Sequence, residues 1–404
     1  MSASEQDSRP EVRLRSLAPS LFAPALLYSI GQGALVPVIA LAARHEGASV
    51  PVAGAIVGLR GIGICLGDVP AGKLVSWLGQ RGATVTSSIV LAASGAVAAL
   101  SSSPWALGVA VFVMGLGWAA CLVARLSLAT DSAPPGRRGQ VIATLGGASR
   151  AGNFIGPVVG ALLITVFGLG AVFWLQALMA FVGCSMMLSF APPGFDHRRA
   201  GRDDGRVLAS VGAAGAGRVA GPGLGAIMVC VLRSSRQALL PLWAAHVGVD
   251  AAGISLVFGA SSALDMLLFA PAGYASDRWG RKPMLLSCLS VLALGQLLVP
   301  LTTDLTGLMA VGLVLGLGNG LGSGIVMTMG ADLAPEEGRA AFLGFWRFIA
   351  DVGTAGGPFL LSGVIALTAL APAALGIGSL GLLMATGLTA VMPEPRAAAP
   401  GRRT

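Results

Sequence analysis

Twelve apolar stretches, each about as long as a membrane crossing, constrain this chain more than any other feature. A helix needs about 20 mostly apolar residues to cross a hydrocarbon core of ~30 Å. Cut at charged or Pro/Gly-rich breaks, the sequence gives such stretches at roughly 20–43, 51–71, 83–101, 105–130, 140–165 and 167–190. Six more run at roughly 223–245, 250–271, 283–302, 305–331, 340–366 and 368–392. Backbone groups inside lipid must be satisfied within the chain, so these stretches read as helices and the fold class as an all-α membrane protein. Only 11% of the residues carry charge while 55% are hydrophobic. So few charges cannot coat a water-facing surface, which sets aside a soluble enzyme, a disordered chain and a nucleic-acid module despite a net charge of +8.

The five cysteines (Cys65, Cys121, Cys184, Cys230 and Cys288) fall in apolar stretches without paired spacing, so neither a disulfide frame nor a metal site is expected. The polar first 19 residues, with no small-residue cleavage site after the first apolar run, read as the lead-in to a retained helix and not a signal peptide.

Orientation follows from the basic residues. Arg9, Arg13, Arg15, Lys73, Arg81, Arg137 and Arg138 lie in loops on one side, together with Arg198, Arg199, Arg202, Arg206 and Arg218. Arg278, Arg281, Lys282, Arg339, Arg396, Arg402 and Arg403 fall on that side too, whereas the opposite loops hold Arg44 alone. Positive loops stay inside, so both termini are expected in the cytoplasm. Arginine in place of lysine, with abundant Ala and Gly, suggests a GC-rich bacterial genome and hence the inner membrane.

The two halves repeat. Pro70-Ala71-Gly72 aligns with Pro271-Ala272-Gly273, an offset of 201, and the same offset carries Gly115-Leu116-Gly117 onto Gly316-Leu317-Gly318. It also carries Asp131-Ser132-Ala133-Pro134 onto Asp332-Leu333-Ala334-Pro335, and Gly152, Gly156 and Pro157 onto Gly353, Gly357 and Pro358. The domain reading is therefore a six-helix bundle over 1–190, a polar cytoplasmic linker over 191–222 and a second six-helix bundle with a short tail over 223–404. Parallel repeats of this kind share a pseudo-two-fold axis along the membrane normal and place a site near the midplane between them.

The residues at this point resemble the major facilitator superfamily over almost the whole chain. PAGYASDRWGRK, residues 271–282, is similar to that family's loop motif, with Gly273, Asp277, Arg278, Gly280, Arg281 and Lys282 in the matching positions. The resemblance implies the major facilitator fold, two pseudo-symmetric bundles of six helices, and a loop that helps latch the cytoplasmic gate. The first-half copy, around Gly72, departs from the motif: Ser76 stands for the acid, Trp77 for the next Arg, and Gln80 precedes a lone Arg81. Within span five, Gly152, Gly156, Pro157 and Gly160 resemble a signature of proton-driven exporters in this superfamily. Gly156 and Pro157 are expected to bend the helix, and the glycine spacing is also a general packing device in membranes, a reading that the echo at Gly353, Gly357 and Pro358 supports.

Charges inside a membrane are costly and mark pathways. Arg60, Asp68, Arg125, Arg150, Arg233, Arg236, Asp265, Arg347 and Asp351 all fall within spans. Arg60 and Asp351 sit at equal depth, ~18 Å by helix rise, and Arg150 and Asp265 lie at ~18 and ~12 Å. The resemblance implies that span two packs on span eleven and span five on span eight, so the expected inter-bundle pairs are Arg60–Asp351 and Arg150–Asp265. A static Arg347–Asp351 pair, four apart on one helix, is the alternative for Asp351. Spans one, four, seven and ten line the cavity in the superfamily, which adds Gln32 and Asn319, with Tyr28 and Gln237, to the candidate polar lining.

The leading expectation is a secondary active transporter, a proton-coupled antiporter exporting amphipathic small molecules, with a proton gradient as energy source and no cofactor. The alternative is an uptake symporter or exchanger for an organic anion, which the arginine excess favours because a guanidinium grips carboxylate or phosphate with two parallel bonds. An enzyme is not expected, since no Ser/His/Asp set or phosphate-cradling loop occurs. Partners are expected to be the bilayer and a small-molecule substrate, with no nucleic acid, and the chain is expected to be a monomer.

Overall fold

The computed structural model describes residues 17–133, 137–190, 215–336 and 339–392. Most of the expected linker, the basic N-terminal segment and the tail beyond Met392 lie outside these residues, and with them Arg9, Arg13, Arg15, Arg198, Arg199, Arg202, Arg206, Arg396, Arg402 and Arg403. Among the described residues the regular structure is all helical: α1 (Ala23–Leu35), α2 (Ile39–His45), α3 (Val50–Ala99), α4 (Pro104–Ser132), α5 (Arg138–Phe167) and α6 (Gly170–Ser189). The second half contributes α7 (Ala216–His246), α8 (Ala251–Trp279), α9 (Arg281–Leu298), α10 (Leu305–Leu321), α11 (Ile325–Leu333), α12 (Arg339–Leu367) and α13 (Leu370–Val391).

These helices make twelve passes. Ten are long and apolar enough by composition alone, and α1 with α2, bent by 42° at Val36-Pro37-Val38, makes an eleventh. The bend falls where Pro37 removes a backbone donor and disfavours helix at the residue before it. The remaining pass is α7, whose Arg233-Ser234-Ser235-Arg236 core makes it the most polar crossing. It starts at Ala216, inside the stretch expected to be linker. Asp250 and Asp304 cap α8 and α10, each accepting from the backbone N–H three residues on, at 2.9 and 2.8 Å. Large apolar side chains such as Trp105, Phe167 and Leu367 point outward, a surface suited to lipid and unsuited to water.

The 201-residue offset is written into the backbone. Passes two and three are one helical run, α3, broken only at Gly79 (φ 73°, ψ 177°), where a side chain would be strained. Its counterpart Gly280 separates α8 from α9 with φ 91°, ψ 168°. Close contacts repeat as well. A Cβ added at Gly152 would lie 2.5 Å from the Leu26 carbonyl oxygen, and one at Gly353 would lie 2.5 Å from that of Ile227. Gly156 meets Ile30 and Ala34, and Gly357 meets Val231 and Ser235, residue for residue at the same offset. Both copies of the glycine–proline signature therefore seat a helix on its neighbour, α5 on α1 and α12 on α7.

Two six-helix bundles result, and they meet along a seam where α3 packs on α12 and α5 on α8. Small residues let them approach: Gly54 faces Ser362 and Leu242, Gly58 faces Phe359, and Gly61 faces Ala355. Gly259 faces Val158, the symmetric counterpart of the Gly58–Phe359 contact. That packing occupies the half of the seam away from the arginine-rich loops. Toward those loops, Gly139, Gly146 and Gly147 on α5 and Gly344 on α12 open onto free space. The seam is shut on the far side and parted on the arginine-rich side.

Candidate functional site

Among the described residues, two ion pairs cross the seam. On one side Arg150 of α5 donates through Nη1 to Asp265 Oδ2 of α8 at 2.8 Å. The guanidinium lies 4.3 Å over the Phe269 ring, and Ser323 Oγ donates to the other Asp265 oxygen at 2.9 Å. This is the expected Arg150–Asp265 pair, and both of its side chains are largely enclosed.

The pair on the other side differs from the expectation. Arg347 of α12 grips Asp68 of α3 with two bonds, Nε to Oδ2 at 2.9 Å and Nη2 to Oδ1 at 3.1 Å. Asp351, one turn along α12, stands 3.6 Å from Arg347 Nε, and its Oδ2 is buried without a hydrogen-bond partner. Two carboxylates thus share one guanidinium, with the Cys65 thiol nearby. The expected Arg60–Asp351 pair does not form, because Arg60 turns within its own bundle and donates to Gln32 Oε1. The pair of unequal expected depth, Arg150 and Asp265, meets, and the pair of equal depth, Arg60 and Asp351, does not, since depth says nothing about which face of a helix a residue occupies. The seam face of α3 is the stripe Gly54, Gly58, Gly61, Cys65 and Asp68, spaced four, three, four and three residues. Asp68 belongs to that stripe and Arg60 does not. This spacing was present in the sequence and would have named the right partner.

The two pairs are staggered. Arg150 and Asp351 are symmetry counterparts, so Arg347 lies one turn nearer the arginine-rich side than the position Arg150 holds in its own half. Asp68 is shifted by the same four residues relative to Asp265, and by helix rise the pairs differ in depth by ~6 Å.

Beside Asp265 the tenth pass breaks. α10 ends at Leu321 and α11 begins at Ile325, with Gly324 at φ 77°. Arg233 Nη2 donates to the Asn319 carbonyl at 3.0 Å, and Arg236 Nη1 donates to Ser261 Oγ at 3.1 Å. Arg60, Arg233 and Arg236 therefore have neutral hydrogen-bond partners, and the Nε of each is buried without one. Unwound segments of this kind commonly present polar backbone to a midplane site. Ser323 and Ser261 were not singled out from sequence, although the Gly322-Ser323-Gly324 break is a legible signal in an apolar run.

Arg125 is elsewhere. It is 2% exposed inside the first bundle, with its guanidinium 5.2 Å from the Tyr28 ring centroid and 5.0 Å from that of Trp118. Tyr28 is likewise buried, bonded to Ser88 Oγ at 2.6 Å, so neither faces the seam. Aromatic faces stabilise the cation where no carboxylate is in place.

In the loop motif, Arg281 joins Asp277 at 2.7 Å, Ser276 at 2.8 Å and, through Nε, Asp332 at 3.0 Å. Asp277 is exposed and paired with Arg281. Lys282 Nζ donates to the Thr389 and Met392 carbonyls at 2.9 and 2.6 Å, closing the C-terminal end of α13. Arg278 reaches Tyr274 Oη at 3.3 Å, while Gly72 and Gly273 open onto free space. All of these partners belong to the same bundle. The degenerate first copy keeps an equivalent contact: Gln80, the counterpart of Arg281, donates to Asp131, the counterpart of Asp332, at 2.6 Å.

Known proteins agree with this architecture. Residues 21–231 and 223–404 both match the family model of the Major Facilitator Superfamily. The chain belongs to that superfamily, and ten of its described helices are long and apolar enough to cross a membrane. It is 28% identical over 152 residues to the inner membrane transport protein YajR of Escherichia coli (strain K12), covering 38% of this chain and 33% of that one. It is 27% identical over 165 residues to the multidrug resistance protein MdtG of Citrobacter koseri, covering 40% of this chain and 41% of that one. The matched segments thus span about a third to two fifths of these relatives. Among solved structures, a point mutant of the nucleoside transporter NupG superimposes with TM-score 0.78 at 13% identity, over 94% of this chain and 100% of that one. A POT family transporter in complex with 5-aminolevulinic acid gives 0.77 at 12%, over 94% and 96%.

Proposed function

We propose that the protein is a proton-coupled antiporter that exports amphipathic small molecules across a bacterial inner membrane, with both termini cytoplasmic and the arginine-rich side facing the cytoplasm. The observation that carries this reading is the cluster of Asp68, Asp351 and Arg347 across the seam. With both acids ionised, one cation serves two carboxylates in surroundings that poorly screen their repulsion; one proton relieves it. Protonation of Asp351 leaves the Asp68–Arg347 clasp closed, whereas protonation of Asp68 releases Arg347 to Asp351 on its own helix and loosens the contact between the bundles. A proton moving between these acids is thereby tied to the contact between bundles. Resemblance to proteins named for multidrug resistance supports export as the direction, and the proton gradient supplies the energy without a cofactor.

Uptake of an organic anion draws on the same arginine-lined seam and is told apart by direction. Purified protein in liposomes, with an imposed proton gradient, should move substrate against the proton flow and alkalinise the side from which protons are drawn. Growth of an expressing strain on a panel of toxic compounds identifies the substrate, and Asp351→Asn should abolish the proton-driven component while leaving folded protein in the membrane. Substrate movement along the proton flow, or undiminished antiport by Asp351→Asn, contradicts the proposal.

A further inference from the structure

The charges on the seam fall into two groups of opposite character. Around α3 and α12, Asp68 and Asp351 outnumber Arg347. Around α7, α8 and the broken tenth pass, Arg150, Arg233 and Arg236 outnumber Asp265, and Arg233 lies within electrostatic reach of both other arginines. Arg233 and Arg236 are three residues apart and project from one face of α7. Their hydrogen bonds run to a backbone carbonyl and a serine hydroxyl, and each keeps a buried Nε–H with no acceptor. An enclosed guanidinium donor without an acceptor is costly, and an excess of cations within a membrane more so. The carboxylate at hand, Asp265, is already held by Arg150 and Ser323. Two positive charges on this side of the seam are thus left, among the described residues, without a carboxylate of their own.

We infer that the substrate carries an acidic group, a carboxylate or an equivalent oxyanion, and that Arg233 and Arg236 bind it beside the Gly322-Ser323-Gly324 break. The inference rests on the reading of the chain as a transporter with its site on the seam. Arg150 reaches the same place from the other bundle, so a bound anion bridges the two halves and competes with Asp265 for Arg150. The proton and the substrate then occupy separate clusters, one acidic and one basic. Export of an anion in exchange for an entering proton also moves positive charge inward on both legs, in the direction an inside-negative membrane potential favours.

The test uses the full chain in an uncharged detergent with three probes that share one apolar skeleton: octanoate, octylammonium and octanol. Each is titrated while the thermal unfolding midpoint is followed, alongside chloride and sulfate. Octanoate should raise the midpoint saturably, and the other two organic probes should not. Arg233→Gln and Arg236→Gln should each weaken the octanoate response by roughly ten-fold or more, the loss expected for one charge-assisted contact. Arg236→Lys should retain part of it. Asp265→Asn, which removes the competing carboxylate, should tighten it, and this variant keeps the test sharp if the glutamine variants fail to fold. Preference for octylammonium, equal response to all three probes, or an octanoate response unchanged in both glutamine variants overturns the inference. An equal effect of chloride or sulfate does so as well, since the site would then hold only an inorganic counter-ion. No gradient is involved: a selective anion binder that shows no proton-driven movement would sink the export reading and leave this one standing, and a proton-driven exporter indifferent to anions would do the reverse.

Discussion

Arg150 and Asp351 hold equivalent places in the two halves and carry opposite charges, so a seam that is nearly two-fold in its packing is asymmetric in its electrostatics. The Gly58–Phe359 and Gly259–Val158 contacts obey the repeat, while the ion pairs depart from it by one turn. Arg150 faces Asp265 at 2.8 Å, so exchanging the two charges preserves the pair. Either single reversal, Arg150→Asp or Asp265→Arg, leaves two like charges in contact. Losing one member of an enclosed hydrogen-bonded pair costs about 2–5 kcal/mol, and repulsion adds to it. The double variant Arg150→Asp/Asp265→Arg should recover most of the thermal stability and membrane yield that each single variant loses. A double variant no better than the worse single one would mean that the two side chains do not meet across the bundles.

At the scale of helices, backbone contact and not side-chain chemistry accounts for the glycine–proline signature. A Cβ added at Gly156 would press on the Ile30 carbonyl oxygen, and one at Gly357 on that of Val231, neither of which can move without shifting a helix. Gly156→Val and Gly357→Val should each lower the unfolding midpoint, by the equivalent of about 1–3 kcal/mol of overpacking. Gly147→Ala, on the same helix as Gly156 but facing open space, should leave it unchanged or raise it, since Ala is the better helix former. Much of this was legible beforehand. The repeat and the spans follow from spacing alone, because hydrophobic length and basic loops fix depth, and the Arg150–Asp265 pair follows from depth together with the helix packing that the family resemblance implies. Azimuth was harder to read. Depth places Arg60 at the seam and Arg125 counts only as a charge within a span, yet Arg60 turns to Gln32 and Arg125 lies between Tyr28 and Trp118. Glycines at 54, 58 and 61 mark the facing stripe, to which Asp68 belongs and Arg60 does not. The helix start at Ala216 escapes the sequence reading for a different reason: Gly and Pro at 221–223 read as a break, yet α7 runs through Pro222, its seventh residue, giving up one backbone bond.

The whole molecule is shut on the side away from its arginine-rich loops and parted on the side that bears them. Gly54, Gly58 and Gly61 meet the second bundle there, while Gly146, Gly147 and Gly344 meet nothing. Arg281 and Lys282 hold their own bundle together in this state, bonding among the described residues to Asp332 and to the end of α13. Rocking about the two staggered ion pairs would close the parted side and open the other. The central claim is that protonation of the Asp68–Arg347–Asp351 cluster sets the balance between these states. Ala143 and Gly344 are symmetry counterparts on α5 and α12, both exposed near the arginine-rich loops, and suit a pair of spin labels on a background freed of native cysteines. Double electron–electron resonance between labels at these positions, in liposomes across a pH series, measures the opening directly. The account predicts two distance populations whose ratio shifts with pH, and loss of that shift in Asp351→Asn. A single distance at every pH, or a shift unaltered by the substitution, would contradict it.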